Sequence, residues 1–191
     1  MRIPALILTV LMCVNLAGCF AAAAGGVATG GVMASDRRTS GAYIEDESIE
    51  WKTLKSLNDA LGDKIHVNVT SFNRNVLLTG EVADEAGRVK AEALAKAVEN
   101  VRSVTNELTL GPASSLSARS SDTYLTSKVK ARMVTENRFP PNYVKVVTEN
   151  GVVYLMGMVT RKEADDAVDI ARHTEGVEKV VKVFEYVTTT P

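Results

Sequence analysis

The residues that could do catalytic or metal chemistry are scattered along this chain of 191 residues. His66 and His173 have no Cys, Asp or Glu around them at metal-ligand spacing, so both are interpreted as solvated surface side chains. Asp165 and Asp166 adjoin on a predicted helix, where neighbours point about 100° apart and cannot form a paired-carboxylate site. No serine or threonine is marked as a nucleophile, and the glycines lack the Lys-Ser/Thr of a phosphate loop. The sequence therefore predicts a protein that is not an enzyme and that holds no metal and no cofactor.

The N-terminus combines one cation, a mostly apolar run over 3–14 and the small-residue exit Leu16-Ala17-Gly18-Cys19. This is the pattern of a secretory signal, and the run is too short to cross a bilayer, which takes roughly 20 apolar residues. The exit resembles a bacterial lipobox, so we expect a signal peptide over 1–18 and acyl chains on Cys19. An ordinary signal peptide with a chance cysteine is the alternative. Phe20, in place of aspartate after the cysteine, favours the outer membrane, with the protein facing the periplasm.

Cysteine content and charge exclude further classes of protein. Of the two cysteines, Cys13 leaves with the signal and Cys19 is capped by lipid, so no thiol remains for a disulfide or a metal. Loss of Arg2 leaves 22 − 1 = 21 basic residues against 23 acidic ones. This balance produces no field that attracts nucleic acid, and we expect no nucleic-acid partner.

Two segments have the composition of connectors. The segment 19–44 is rich in Ala and Gly and is interpreted as a flexible tether after the acylated cysteine. An Ala-rich helix lying on the membrane is the alternative, which the four glycines between Gly25 and Gly31 disfavour. The segment 111–120 begins Gly-Pro and predicts a linker.

The rest of the chain repeats itself at an offset of 76 or 77 residues. The aligned positions include helix-spaced apolar residues, a Val-x-Val strand and a hairpin. They are Asp46, Ile49, Thr53 and Leu57 beside Asp122, Leu125, Val129 and Met133, then 67–69 beside 144–146, and 76–80 beside 153–157. Because one register is kept across all these elements, the sequence predicts two similar domains, at 45–110 and 121–188.

Each copy has the pattern helix, strand, strand, helix, strand. Asp122 is predicted as the N-cap of its first helix, and Asn150-Gly151 supplies the two positive φ angles of a type I′ hairpin. A helix lies between the second and third strands, so these strands can run parallel. The predicted fold class is α+β, in which each domain is a three-stranded mixed sheet covered by two helices on one face.

This pattern resembles a BON domain. The hairpin Asn-Gly-x-Val-x-Leu-x-Gly-x-Val over 150–159 and Gly-Val-x-x-Val over 176–180 carry the likeness. The first copy departs from it, because Arg74 replaces the turn glycine and Asn100 replaces the glycine before Val101. The resemblance implies a non-enzymatic module that binds anionic phospholipid, supports outer-membrane integrity and associates with the division site.

One helical face of the second copy is a candidate lipid-binding surface. Tyr124, Lys128 and Arg132 are spaced i, i+4, i+8 and share a face beside the core residue Leu125. A tyrosine at the edge of a cationic helix suits a membrane interface, so these four residues are predicted to bind phospholipid. The alternative is that the charges are merely solvated and that Tyr124 packs against the first turn. In the first copy Trp51 aligns with Ser127 instead.

A second hypothesis is a periplasmic adaptor that docks envelope-assembly or peptidoglycan-remodelling proteins. It predicts an exposed apolar patch on the open sheet faces, at Tyr154 and Met156 or at Leu77, which point away from their own helices. Packing of the two domains on each other could cover the same patch, and the sequence leaves this open.

Overall fold

The first copy starts with a long helix and continues as a hairpin, a second helix and a split strand. The computed structural model describes residues 36–62 and 66–188, and the described residues from Arg37 onward belong to one compact unit. The elements of the first copy are α1 (Ser40–Leu61), β1 (His66–Phe72), β2 (Asn75–Val82), α2 (Glu85–Lys96), β3 (Ser103–Asn106) and β4 (Thr109–Leu110). β1 and β2 are antiparallel, and β3 and β4 both run parallel to β2. Across the described ranges, no helix has the length and apolar content needed to cross a membrane.

The second copy repeats this order with an unbroken third strand. Its elements are α3 (Leu116–Glu136), a 3₁₀ turn (Pro141–Tyr143), β5 (Val144–Glu149), β6 (Val152–Val159), α4 (Arg161–Arg172) and β7 (Lys179–Tyr186). β5 and β6 are antiparallel, and β6 and β7 are parallel. The predicted α+β fold, with a hairpin and a parallel crossover in each copy, is thereby confirmed.

The third strand of the first sheet is broken, so that sheet has four strands where three are predicted. β3 and β4 keep one register along β2. At the end of β3 the Asn106 side chain accepts a hydrogen bond from the Leu108 amide at 3.2 Å and donates one to the Arg88 carbonyl at 3.0 Å. These local hydrogen bonds accompany the break.

Both long helices begin earlier than the apolar pattern predicts. α1 starts at Ser40, inside the predicted tether, and α3 starts at Leu116, inside the predicted linker. The Thr39 and Ser115 hydroxyls cap them, each accepting a backbone N–H at 3.1 Å. Such caps satisfy amides that have no partner in the first turn, so each helix begins before its first buried residue.

The two hairpins have the predicted turn geometry. Asn150 and Gly151 have φ of 48° and 74°, and Asn73 and Arg74 have φ of 51° and 64°. The type I′ prediction is therefore confirmed for Asn150-Gly151. In the first copy an arginine adopts a left-handed conformation that favours glycine.

The two sheets pack against each other through the faces that their helices leave open. Each domain has its own core between sheet and helices. A third apolar cluster joins the domains and consists of Phe72, Leu77, Tyr154 and Met156, each at most 4% exposed. The order of layers is helices, sheet, sheet, helices. The patch that the adaptor hypothesis requires is therefore buried between the domains.

Arg37, just before the first helix, binds the second domain. Its guanidinium forms two hydrogen bonds with the Glu163 carboxylate, at 2.7 and 2.9 Å, and donates to the Met158 carbonyl at 2.8 Å. It also stacks on the Tyr143 ring, 3.9 Å from its centre. Since the two charged side chains are only 4% and 12% exposed, this ion pair is a largely buried link between the domains.

Candidate functional site

α3 is held to the hairpin of its own domain by a buried carboxylate. Asp122 is 7% exposed and accepts hydrogen bonds from the backbone amides of Asn150 and Gly151, both at 2.9 Å. The prediction that Asp122 is the N-cap is wrong, because the helix continues back to Leu116 and the aspartate instead binds the turn. Asp46 has the same role toward the first hairpin, at 2.7 and 2.8 Å.

The outer side of α3 presents a row of apolar and small residues. We define the α3 ridge as Leu116, Ser120, Tyr124, Ser127, Ala131 and Val134, which are all exposed. Their spacing of three or four residues places them on one stripe of the helix. Leu116 is 79% exposed, Tyr124 67% and Val134 62%. Exposed apolar side chains that share one helical stripe with small residues are a candidate contact surface.

Basic side chains flank the α3 ridge, and the structure assigns them different roles. Lys128 lies 5.7 Å from the centre of the Tyr124 ring and donates a hydrogen bond to the Glu175 carbonyl at 2.9 Å. Lys130, on the other flank, is exposed and forms no ion pair with any residue of the described ranges. The predicted pair of Tyr124 and Lys128 is therefore brought together at the surface.

Arg132 lies on the predicted face but is bound within the domain. It donates to the Ile170 carbonyl at 3.3 Å, near the end of α4, and to the Glu136 carboxylate at 2.6 Å. Because its guanidinium already binds these partners, Arg132 adds positive charge to the surface but has fewer donors left for a ligand.

Leu125 is not a surface residue. It is 7% exposed and, with Val129 and Met133, belongs to the buried stripe of α3. It lines the floor of an open cavity of about 600 Å³, whose walls include Tyr124 and Lys128. The expectation that Leu125 faces the lipid together with Tyr124 is therefore corrected: it lies beneath that surface.

The first domain has an exposed apolar row of its own on α1. Ile44 is 66% exposed, Trp51 65% and Leu54 40%. Trp51 is at the position equivalent to Ser127, which lies on the α3 ridge. The charges differ, since α1 has five acidic and two basic residues whereas α3 has two acidic and four basic ones. The apolar spacing in the sequence could have indicated this second row.

The two histidines have different surroundings. The His173 side chain is 58% exposed at the end of α4, as predicted. The prediction of a solvated surface side chain is wrong for His66, which is 14% exposed between the carboxylates of Glu81 and Glu149. Glu149 comes from the other domain, so this proximity is produced by tertiary packing.

Comparison with known proteins agrees with this description. The family model described as "BON domain" matches residues 45–112 and 121–188. The chain is 43% identical over 173 residues to "Outer membrane lipoprotein DolP" of Haemophilus influenzae, covering 90% of each protein. It is 34% identical to "21 kDa hemolysin" of Actinobacillus pleuropneumoniae, over 80% of this chain and 79% of that protein. It is 33% identical to "Osmotically-inducible protein Y" of Escherichia coli, over 73% of this chain and 72% of the relative.

These similarities support an outer-membrane location, and they indicate no catalytic family. Cys19 and the predicted signal peptide lie outside the described residues. With two copies matched and a fold of tandem α-β-β-α-β units, the chain belongs to the BON domain family.

Proposed function

We propose that this protein is a lipid-anchored outer-membrane protein whose second BON domain binds anionic phospholipid through the α3 ridge. In this proposal acyl chains on Cys19 anchor the chain, and the protein supports outer-membrane integrity at the division site. The name of the Haemophilus influenzae relative supports the anchor and the location. The α3 ridge is the observation that carries the lipid-binding role.

The apolar residues of the α3 ridge have the character of an interfacial surface. Tyr124 lies at its centre, with Leu116 and Val134 toward the two ends of the helix. A tyrosine ring fits the headgroup level of a bilayer, and aliphatic side chains beside it gain free energy by entering the acyl boundary.

The serines of the α3 ridge also suit a membrane contact. The Ser120 hydroxyl donates to the Leu116 carbonyl at 2.9 Å, and the Ser127 hydroxyl donates to the Thr123 carbonyl at 3.0 Å. A hydroxyl that already donates to its own helix loses less hydration when it leaves water. The ridge can therefore be desolvated at low cost along its length.

Charge distinguishes α3 from α1. α3 has two more basic than acidic residues and is attracted to an anionic surface, at about 1 kcal/mol for each cation near it. α1 has three more acidic than basic residues, so the same surface repels it. Such binding is weak by itself. A lipid-anchored domain needs only weak binding, because the anchor keeps it near the membrane at high effective concentration.

The test is sedimentation of the chain without residues 1–19 with vesicles of phosphatidylcholine, with or without phosphatidylglycerol. We expect binding only to the anionic vesicles, and loss of binding as salt rises from about 0.1 M to about 1 M, since the Debye length falls from about 10 Å to about 3 Å. Tyr124→Ala with Lys128→Glu should abolish binding. Because Lys128 also contacts Glu175, Tyr124→Ala with Lys130→Glu provides a second variant on the opposite flank.

The matched control is Trp51→Ala with Lys52→Glu, which makes the same kinds of change on α1. We expect this variant to bind like the unaltered chain. Trp51 is the single tryptophan, so its fluorescence reports whether α1 enters the bilayer, and we expect no blue shift. Binding that survives both α3 variants, or is lost in the α1 control, would contradict the proposal, because another surface of the chain would then contact the vesicles.

A further inference from the structure

Three potential metal ligands meet where the two sheets join. His66 on β1 pairs with Glu81 on β2 across the hairpin, and Glu149 ends β5 of the other domain. The Nδ1 atom of His66 is 3.1 Å from Glu81 Oε2 and 3.9 Å from Glu149 Oε1. One ligand atom from each residue lies within 4.8 Å of the others. This spacing places all three within reach of a single ion.

The two carboxylates are buried without a permanent cation. Glu81 is 5% exposed and Glu149 6%, yet neither forms an ion pair with a lysine or arginine of the described residues. Their hydrogen-bond donors include the neutral amides of Asn150, 2.6 Å from Glu81, and Asn68, 2.8 Å from Glu149. Buried carboxylates are normally paired with a cation or coordinate a metal, and the one side chain that faces both of these among the described residues is His66, which can also be a metal ligand.

A buried hydroxyl without a partner lies at the same place. Thr79 is 1% exposed and stands two residues before Glu81, on the same face of β2. Its Oγ1 has no hydrogen-bond partner among the described residues. Burial raises the pKa of the neighbouring Glu149 carboxyl, and Asn68, His66 and Thr79 offset that rise only in part. Buried polar atoms are rarely left unsatisfied, so Thr79 is a second sign that this pocket is built for a polar ligand.

The cluster also has an opening. A cavity of about 340 Å³ is lined by His66, Asn68 and Glu149, with Arg119, Asp122 and Thr126 on its α3 side. A small hydrated ion can therefore reach the histidine and Glu149 from outside.

We propose that His66, Glu81 and Glu149 bind one divalent first-row transition-metal ion, of which Zn²⁺ is the probe, and that this ion joins the two domains. Zinc takes imidazole nitrogen and carboxylate oxygen at about 2.0–2.2 Å, so tetrahedral ligand atoms are separated by roughly 3.3 Å. The observed separations of 3.1 and 3.9 Å bracket that value. Three protein ligands leave a fourth position for water from the cavity. This proposal is independent of lipid binding by α3.

The test is equilibrium dialysis and isothermal titration of the chain without residues 1–19, which keeps every described residue, with ZnCl₂ at neutral pH. We expect one Zn²⁺ per chain. His66→Gln and Glu149→Gln should each weaken binding by at least about tenfold, since even partners of ligands matter by 10- to 100-fold. His173→Gln is the matched control, because His173 also lies near one carboxylate, 3.3 Å from Asp169, and should leave binding unchanged.

Folding is checked separately, so that loss of binding is not mistaken for loss of structure. Circular dichroism and thermal melting without zinc should show His66→Gln folded, because glutamine keeps a side-chain donor toward Glu81. Zinc should then raise Tm of the unaltered chain and of His173→Gln but not of His66→Gln. No zinc bound at saturation, binding that persists in His66→Gln, or binding lost in His173→Gln would each overturn the proposal.

Discussion

Replacing Arg37 by alanine tests whether the two domains are held together by the ion pair with Glu163. The change removes the cation of a largely buried ion pair. The Glu163 carboxylate, which is 12% exposed in the intact protein, then loses the hydrogen bonds of the guanidinium. Breaking such a pair costs roughly 3–5 kcal/mol. Glu163 still accepts the Thr160 amide at 2.7 Å, so we expect the lower end, about 3 kcal/mol.

The assay is urea unfolding of the chain without residues 1–19, followed by Trp51 fluorescence and by far-UV circular dichroism. With a slope of about 2 kcal/mol per molar urea, Arg37→Ala should lower the midpoint by about 1.5 M. Trp51 reports on the first domain and circular dichroism on both. We expect the two transitions to coincide in the unaltered chain because the sheets share the cluster around Leu77 and Met156.

The loss of stability caused by Arg37→Ala should also depend on pH. Burial raises the pKa of Glu163, but hydrogen bonds from Arg37 and Thr160 outweigh it, and the net pKa lies below the usual 4.5. A lowered pKa gives stability that is present above about pH 4.5 and is lost as pH falls through the folded-state value. The difference between Arg37→Ala and the unaltered chain should thus be full at pH 7 and shrink in acid.

Arg172→Ala is the control, since Arg172 is 61% exposed in its pair with Asp169, and an exposed pair is worth at most about 1 kcal/mol. The prediction would be refuted if Arg37→Ala lowered the free energy of unfolding less than Arg172→Ala does. It would also be refuted if the loss were equally large in acid and at neutral pH.

Two further predictions concern the domain interface and the first hairpin. Burial raises the pKa of Tyr154 to about 12, so its stabilising effect is present below about pH 10 and lost as pH rises toward 12. Alkaline spectrophotometric titration should show Tyr154 ionising last of the five tyrosines, and simultaneous ionisation of all five would contradict the prediction. The free energy of unfolding should fall by roughly 3 kcal/mol over this pH range, and Tyr154→Phe should remove that fall. Arg74→Gly should raise the free energy of unfolding by about 1 kcal/mol, because φ of 64° strains a residue with a side chain. Urea unfolding measures this, and a destabilised Arg74→Gly would count against strain at the turn.

The parts of the fold that local spacing determines were predictable. Asn150-Gly151 has the backbone preference of its turn, and Val153 and Leu155 alternate as a strand with one buried face must. The position of Tyr124 on α3 follows from the helical repeat alone. Such features depend on residues within a few positions of one another.

Contacts between distant residues were not predictable in the same way. His66 and Glu149 are far apart in the chain, and no local pattern indicates that two sheets bring them together. Arg37 meets Glu163 for the same reason. The N-cap prediction for Asp122 is wrong because a buried aspartate that binds a turn and an aspartate that caps a helix look alike in sequence.

The layer order has a consequence for how the protein can change over generations. The α3 ridge lies on the outer side of one sheet, while Leu77, Tyr154 and Met156 lie on the inner sides, against the other sheet. A substitution on the ridge leaves the inner packing intact, and a compensated pair of inner substitutions leaves the ridge unchanged. Selection can therefore change what the outer surface binds without changing the packing between the two domains.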